Sequence, residues 1–187
     1  MIRKMTMTTL AAGMLWLVPA AELAAQSSVY STSSGTTRFS SKTPMEDINA
    51  ENEMTQAIFN TATGEIAIRV NMKDFSFENK LMQEHFNENY METSKYPVAT
   101  FSGKLGKSID ISRDGEYEVS ASGKFTVHGV TQNRTLDGKI KIEAGKILIT
   151  SAFQVALADH KIEIPKIVFV KIAQQIQVNA RYTLVKK

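Results

Sequence analysis

The 187-residue chain contains no cysteine. Disulfides, thiol nucleophiles and thiolate metal sites are thereby excluded together. It has three histidines, His85, His128 and His160, far apart in the sequence and outside any H-E-x-x-H pattern, so neither a metal nor a cofactor is expected. His128 reads as a structural residue of a tight turn, His85 as a packing residue on a helix, and His160 as a solvated loop residue. There is no Gly-x-Ser-x-Gly elbow and no phosphate-binding glycine loop. Glu116 and Glu118 sit about 6.8 Å apart along one strand face, a spacing that suits glycoside hydrolysis, but on the wet side, where acids serve solubility. No catalytic residue is expected. The only tryptophan is Trp16, and the chain has no internal repeat.

Long apolar runs are also missing. Arg3 and Lys4 precede a short apolar stretch, Leu10 to Ala21, and Leu23-Ala24-Ala25 offers small residues before Gln26. This is the pattern of a secretory signal peptide, residues 1–25, cleaved after Ala25; its apolar core is short for a membrane span. The mature domain is then residues 26–187, long enough for one sizeable core. It carries 20 basic and 18 acidic side chains, a near-balance that argues against nucleic-acid binding. Neither a nucleic acid nor a membrane-spanning role is expected, and the sequence accommodates a monomer or a homodimer.

What the chain does have is alternation. From Glu116 to Val127, Tyr117, Val119, Ala121, Gly123, Phe125 and Val127 take one side, and charged or hydroxyl residues the other. A period of two marks a strand with one dry face. The same pattern recurs in residues 54–60, 66–72, 99–105, 135–143, 147–157 and, in the last strand, from about Val168 to Leu184. Residues 26–37, rich in Ser, Thr and Gly, read as a flexible lead-in with a short strand at Val29-Tyr30. Spacings of three and four in Leu81, Met82, His85, Phe86 and Tyr90 predict one helix, Glu78–Tyr90, ended before Lys95-Tyr96-Pro97. About eight strands with hairpin connections give an all-β, antiparallel up-and-down barrel, which has no exposed edges.

The dry faces supply the candidate ligand-binding wall: Phe39 from the N-terminal part, Ile66, Ile68 and Val70, Phe101, then Val119, Ala121 and Phe125, Ile140, Phe153 and Val155, and finally Ile176 and Val178. Small residues on those faces (Ala99, Gly103, Ala121, Gly123, Gly138, Ala180) leave room beside the large ones. Periodicity alone is equally consistent with an interdigitated, filled core. Gln174 reads as a bulge or barrel-end residue, or with Tyr182 as a polar contact at the mouth. Leu148 and Phe169 fall on otherwise polar faces, where a partner protein would bind if the core were full.

Lys95-Tyr96-Pro97 with Phe101 resembles the Lys-Tyr-Pro-x-x-x-Phe signature of the YceI-like family. Gly115-x-Tyr117-x-Val119, Gly123, Phe125-Thr126-Val127-His128-Gly129-Val130-Thr131 and Thr135-Leu136 resemble its second signature. His85-Phe86 and Asp159 to Pro165 are similar to its helix and its C-terminal part. The resemblance spans Phe39 to Leu184 and is loose before Asn60. It implies a lipocalin-like barrel exported to the periplasm, with no catalytic activity, whose interior binds a long-chain isoprenoid-type lipid or quinone. Each buried methylene contributes about 0.8 kcal/mol, so such a tail has ample driving force to bind, with specificity left to length and a few polar groups.

Overall fold

The alternation of residues 116–127 becomes a strand in the computed structural model, which describes residues 28–165 and 170–187. The strands are β1 (Val29–Lys42), β2 (Asp47–Asn60), β3 (Glu65–Asn71), the two-residue β4 (Ser76–Phe77), β5 (Val98–Leu105), β6 (Gly115–Val127), β7 (Val130–Glu143), β8 (Lys146–Ala156) and β9 (Gln175–Lys186). Every pairing is antiparallel, and β1 pairs with both β2 and β9. The eight long strands therefore close into an up-and-down barrel in which each pairs with two neighbours over at least part of its length. β4 adds to the upper part of β2, pairing Phe77 with Ala50.

The two ends differ. One carries only short links and the chain ends: residues 61–64, 106–114, 144–145 and the starts and stops of β1 and β9. The other carries the β1–β2 hairpin, residues 72–97, the β6–β7 turn and residues 157–174. The helix belongs to this second end. α1 (Lys80–His85) is capped by Asn79, whose side chain accepts from the Leu81 and Met82 N–H groups. It runs on as one π-type turn, Phe86–Tyr90, closed by Met91 N–H to the Phe86 carbonyl at 2.9 Å.

Three expectations are corrected. The lead-in is no loop: β1 begins at Val29 and runs fourteen residues. Its pattern misled because Thr37 and Ser41, and Asn52 and Thr55 on β2, are buried polar residues where apolar ones were sought. The last strand starts at Gln175, not near Val168. Val170 is exposed in a turn, Ile172 reaches the interior from a loop, and Gln174 is an exposed barrel-end residue whose carbonyl accepts from Leu157 N–H at 3.0 Å. Val168 and Phe169 lie outside the described residues. His160 is not solvated; it is 1% exposed, with Nδ1 3.2 Å from the Val130 carbonyl and its ring edge-on to Phe125.

The His128-Gly129 turn after β6 is a two-residue hairpin with positive φ at both His128 (51°) and Gly129 (71°). Gly129 is needed twice over, since an added methyl group would lie 2.6 Å from the Tyr96 ring. Tyr96 in turn packs edge-on against His128 at 4.4 Å, and His128 pairs with the His160 carbonyl and with Glu92, each at 3.1 Å. The Lys-Tyr-Pro and His-Gly motifs thus meet and lock the helical segment onto β6 and β7.

Candidate functional site

The inward faces enclose an apolar cavity of about 460 Å³ that runs from the α1 end down to Ile66 on β3 and Leu105 on β5. All thirteen residues expected to form the wall do line it: Phe39 on β1, Ile66, Ile68 and Val70 on β3, Phe101 on β5, Val119, Ala121 and Phe125 on β6, Ile140 on β7, Phe153 and Val155 on β8, Ile176 and Val178 on β9. The core is therefore not filled throughout. Ile68, Phe153, Ile176 and Val178 are only half-buried because they face this space. Such a volume and such a wall match a pocket for a small apolar molecule.

Not every small residue makes that room. Ala99, Ala121 and Ala180 line the cavity, whereas Gly123 is no part of its wall. It sits opposite Gly103, and a methyl group on it would overlap the Ser102 carbonyl and the Gly103 Cα. Gly138 does line the cavity, yet its methyl group would lie 2.5 Å from the Thr150 oxygen. These two glycines let neighbouring backbones approach closely in a tightly coiled sheet; the space for a ligand comes from the alanines.

The α1 end forms the mouth. Leu81, Met82, His85, Phe86 and Tyr90 line it from the helix, Ile162, Ile164 and Ile172 from the last long loop. Leu81 and His85 are exposed there. Phe39, Phe75, Phe77 and Phe86 stack into one aromatic cluster with ring centroids 5.0 to 5.8 Å apart, fastening the helix to β1 and β4. Phe75, Phe77 and Met91 were missed by sequence reasoning; they lie in the short segments around the helix, where no period selects an inward face.

The wall is mostly apolar, and two of its buried hydroxyl groups are partnered. Tyr182 is not at the mouth but deep in the barrel, 3% exposed, its hydroxyl 3.0 Å from Thr37 Oγ1. Burial pushes its phenol up to about 12, offset in part by the Thr37 hydrogen bond. Ser41 Oγ accepts from Ala173 N–H at 2.9 Å, which ties the loop to β1. β7 and β8 pair only from Gly138 and Ser151 downward; above that Arg134 spans the gap, donating to the Gln154 carbonyl at 2.8 Å. Its guanidinium lies 5.5 and 5.6 Å from the Phe125 and Phe153 rings, a cation–π contact that the strand pattern gave no reason to expect.

Glu116 and Glu118 are on the outer surface, where both pair with Lys139 (3.4 and 2.7 Å) and take no part in the cavity. Among the described residues no group of three or more His, Asp or Glu side chains is placed to hold a metal ion, and no helix is long and apolar enough to cross a membrane. On the outside, Leu148 is half-buried and Ile58 and Val185 are exposed.

A closed eight-strand antiparallel barrel with an apolar interior defines the lipocalin-like fold. The chain belongs to the YceI-like family, whose model, the YceI-like domain, matches residues 22–184. Three solved structures share the fold. A polyisoprenoid-binding domain from Saccharophagus degradans implicated in plant cell wall breakdown is 15% identical with a TM-score of 0.70, over 86% of this chain and 99% of that one. BcnA from Burkholderia cenocepacia is 12% identical with a TM-score of 0.68, over 81% and 96%. The YCEI protein of Campylobacter jejuni is 19% identical with a TM-score of 0.58, over 74% and 84%. No curated protein sequence matches this chain.

Proposed function

We propose that this protein binds a long-chain isoprenoid-type lipid or quinone in the barrel, without catalysing a reaction on it, and carries or sequesters it in the periplasm. The observation that carries this reading is the apolar cavity of about 460 Å³ with its mouth beside α1. Family membership supports it, as does the solved relative described as polyisoprenoid-binding. Residues 1–25 act as the signal peptide, cleaved after Ala25, and the exported chain begins at Gln26.

The wall explains the absence of chemistry in this scheme. It is mostly apolar, and the Tyr182 hydroxyl is already bonded to Thr37. Binding is driven by transfer of the tail out of water. The thirteen wall residues contact the tail; the head group stays near Leu81 and His85. A partner-binding module would require a filled core, and the open interior weighs against it.

The test is to express the full chain with its leader in a Gram-negative host, purify the exported protein and extract it with organic solvent. Mass spectrometry is expected to find an isoprenoid lipid or quinone at near-stoichiometric yield, and N-terminal sequencing is expected to start at Gln26. Extracts free of any amphiphile, together with no uptake of added lipid, would overturn the reading.

A further inference from the structure

On three adjacent strands the cavity ends above buried apolar residues. On β9 its wall consists of Ile176, Val178, Ala180 and Tyr182, but the next inward residue, Leu184, is fully buried and not part of the wall. On β8 the wall stops at Ile149, above buried Ile147. On β7 it stops at Ile140, above buried Ile142. Phe59, wholly buried, completes the plug from β2. Six residues of β9 at about 3.3 Å each, tilted about 40° to the barrel axis, place this floor about 15 Å below Ile176.

Tyr182 is the floor residue least able to yield. Its ring lies over the Gly35 backbone, where an added methyl group would sit 2.5 Å from Cδ1. Its hydroxyl is the end of a directed chain. Asn52 Oδ1 accepts from Met54 N–H at 2.8 Å and from the Thr55 hydroxyl at 3.3 Å, while Asn52 Nδ2 donates to the Asn71 carbonyl at 2.9 Å, which fixes the amide orientation. The Thr55 hydrogen is thus committed, so Thr37 donates to Thr55 at 2.8 Å and Tyr182 donates to Thr37 at 3.0 Å. Every member is buried, and moving the phenol would leave a buried acceptor without its donor.

We infer that Tyr182 is a hard stop that sets the longest tail the cavity can seat, making the protein a selector of isoprenoid length by depth. This deepens the lipid-binding proposal and rests on it. Isoprene units up to the stop gain burial; further units remain in water and gain nothing.

The experiment uses delipidated exported protein and the all-trans prenols geraniol, farnesol, geranylgeraniol and their longer homologues, each competed against bound parinaric acid by fluorescence. Affinity is expected to rise by at least about tenfold per isoprene unit and then to level off. Tyr182→Ala is expected to move the break to a longer prenol by one unit. Tyr182→Phe, which keeps the ring, and Val185→Ala, on the outer face away from the cavity, leave it in place. Tyr182→Leu serves if Tyr182→Ala does not fold, with the same shift expected. Affinity that climbs through the whole series, or a break unmoved in a folded Tyr182→Ala or Tyr182→Leu barrel, would overturn the stop while leaving lipid binding intact. Failure of every prenol to displace the probe would overturn the lipid-binding reading itself, and the stop with it.

Discussion

At the turn end of the barrel Phe59, Ile147 and Leu184 are at most 1% exposed, while farther along the same strands or on their neighbours Phe153, Ile176 and Val178 are only half-buried. The alternation in sequence is identical in both halves. What differs is what faces the residue across the barrel. Near the short turns, Phe59, Ile142, Ile147 and Leu184 are packed away from the cavity. Near α1, alanines at 99, 121 and 180 stand among the large residues, and the helix lies over the mouth instead of entering the interior. One half is a core that holds the fold; the other is a container that the first half makes affordable.

That contrast can be broken by substitution. The largest effect is expected from Phe59→Ala, which opens a cavity in the plug and costs about 3–5 kcal/mol of unfolding free energy; Phe153→Ala, whose ring already borders a cavity, costs clearly less. Urea denaturation of the pair measures the difference. Equal losses would mean the two halves are packed alike.

Next comes pH. Tyr182 has its phenol pushed up to about 12 in the fold, from an ordinary value of 10.0 when unfolded. A raised value gives stability that is complete below about pH 10 and is lost as pH rises from there towards about 12, in all roughly 2–3 kcal/mol. Tyr182→Phe is expected to flatten that alkaline arm in denaturation curves, and an unchanged arm would show the phenol to be free to reach water.

A smaller effect comes from adding bulk. Ala57→Phe, at a fully buried site outside the cavity, should cost about 1–3 kcal/mol or more by overpacking. Ala121→Phe projects into the open half and should cost under about 1 kcal/mol while removing ligand uptake. Smallest of all is Leu81→Ser on the exposed helix face, expected to change stability by no more than about 0.5 kcal/mol. Thermal melts rank all three.

The same contrast explains what could be read from the sequence. Strands with apolar inner faces declared themselves, and Ile66, Val119, Phe125 and Val155 were placed on the wall by period alone. β1 and the first half of β2 did not, because Thr37, Ser41, Asn52 and Thr55 bury hydrogen-bonded polar groups that no hydropathy pattern separates from a loop. Bulges reinforce this, since the register of β1 shifts on both sides of Gly35. The start of β9 was misplaced because Val170 and Ile172 continue the alternation by chance into a turn and a loop. Gly123 was misread for a different reason. A glycine on an inner face looks the same in sequence whether it makes room for a ligand or for a neighbouring backbone. The role of Tyr182 depends on residues 145 positions away and was invisible to any local pattern.

The central claim is that the half of the barrel beside α1 is an open container for one apolar chain. Native mass spectrometry of the delipidated protein with geranylgeraniol tests it most directly. The account predicts a single adduct of one prenol per chain, lost in Ala121→Phe while the barrel stays folded. A chain that takes up no prenol, or that binds it equally well with Ala121→Phe, would contradict it.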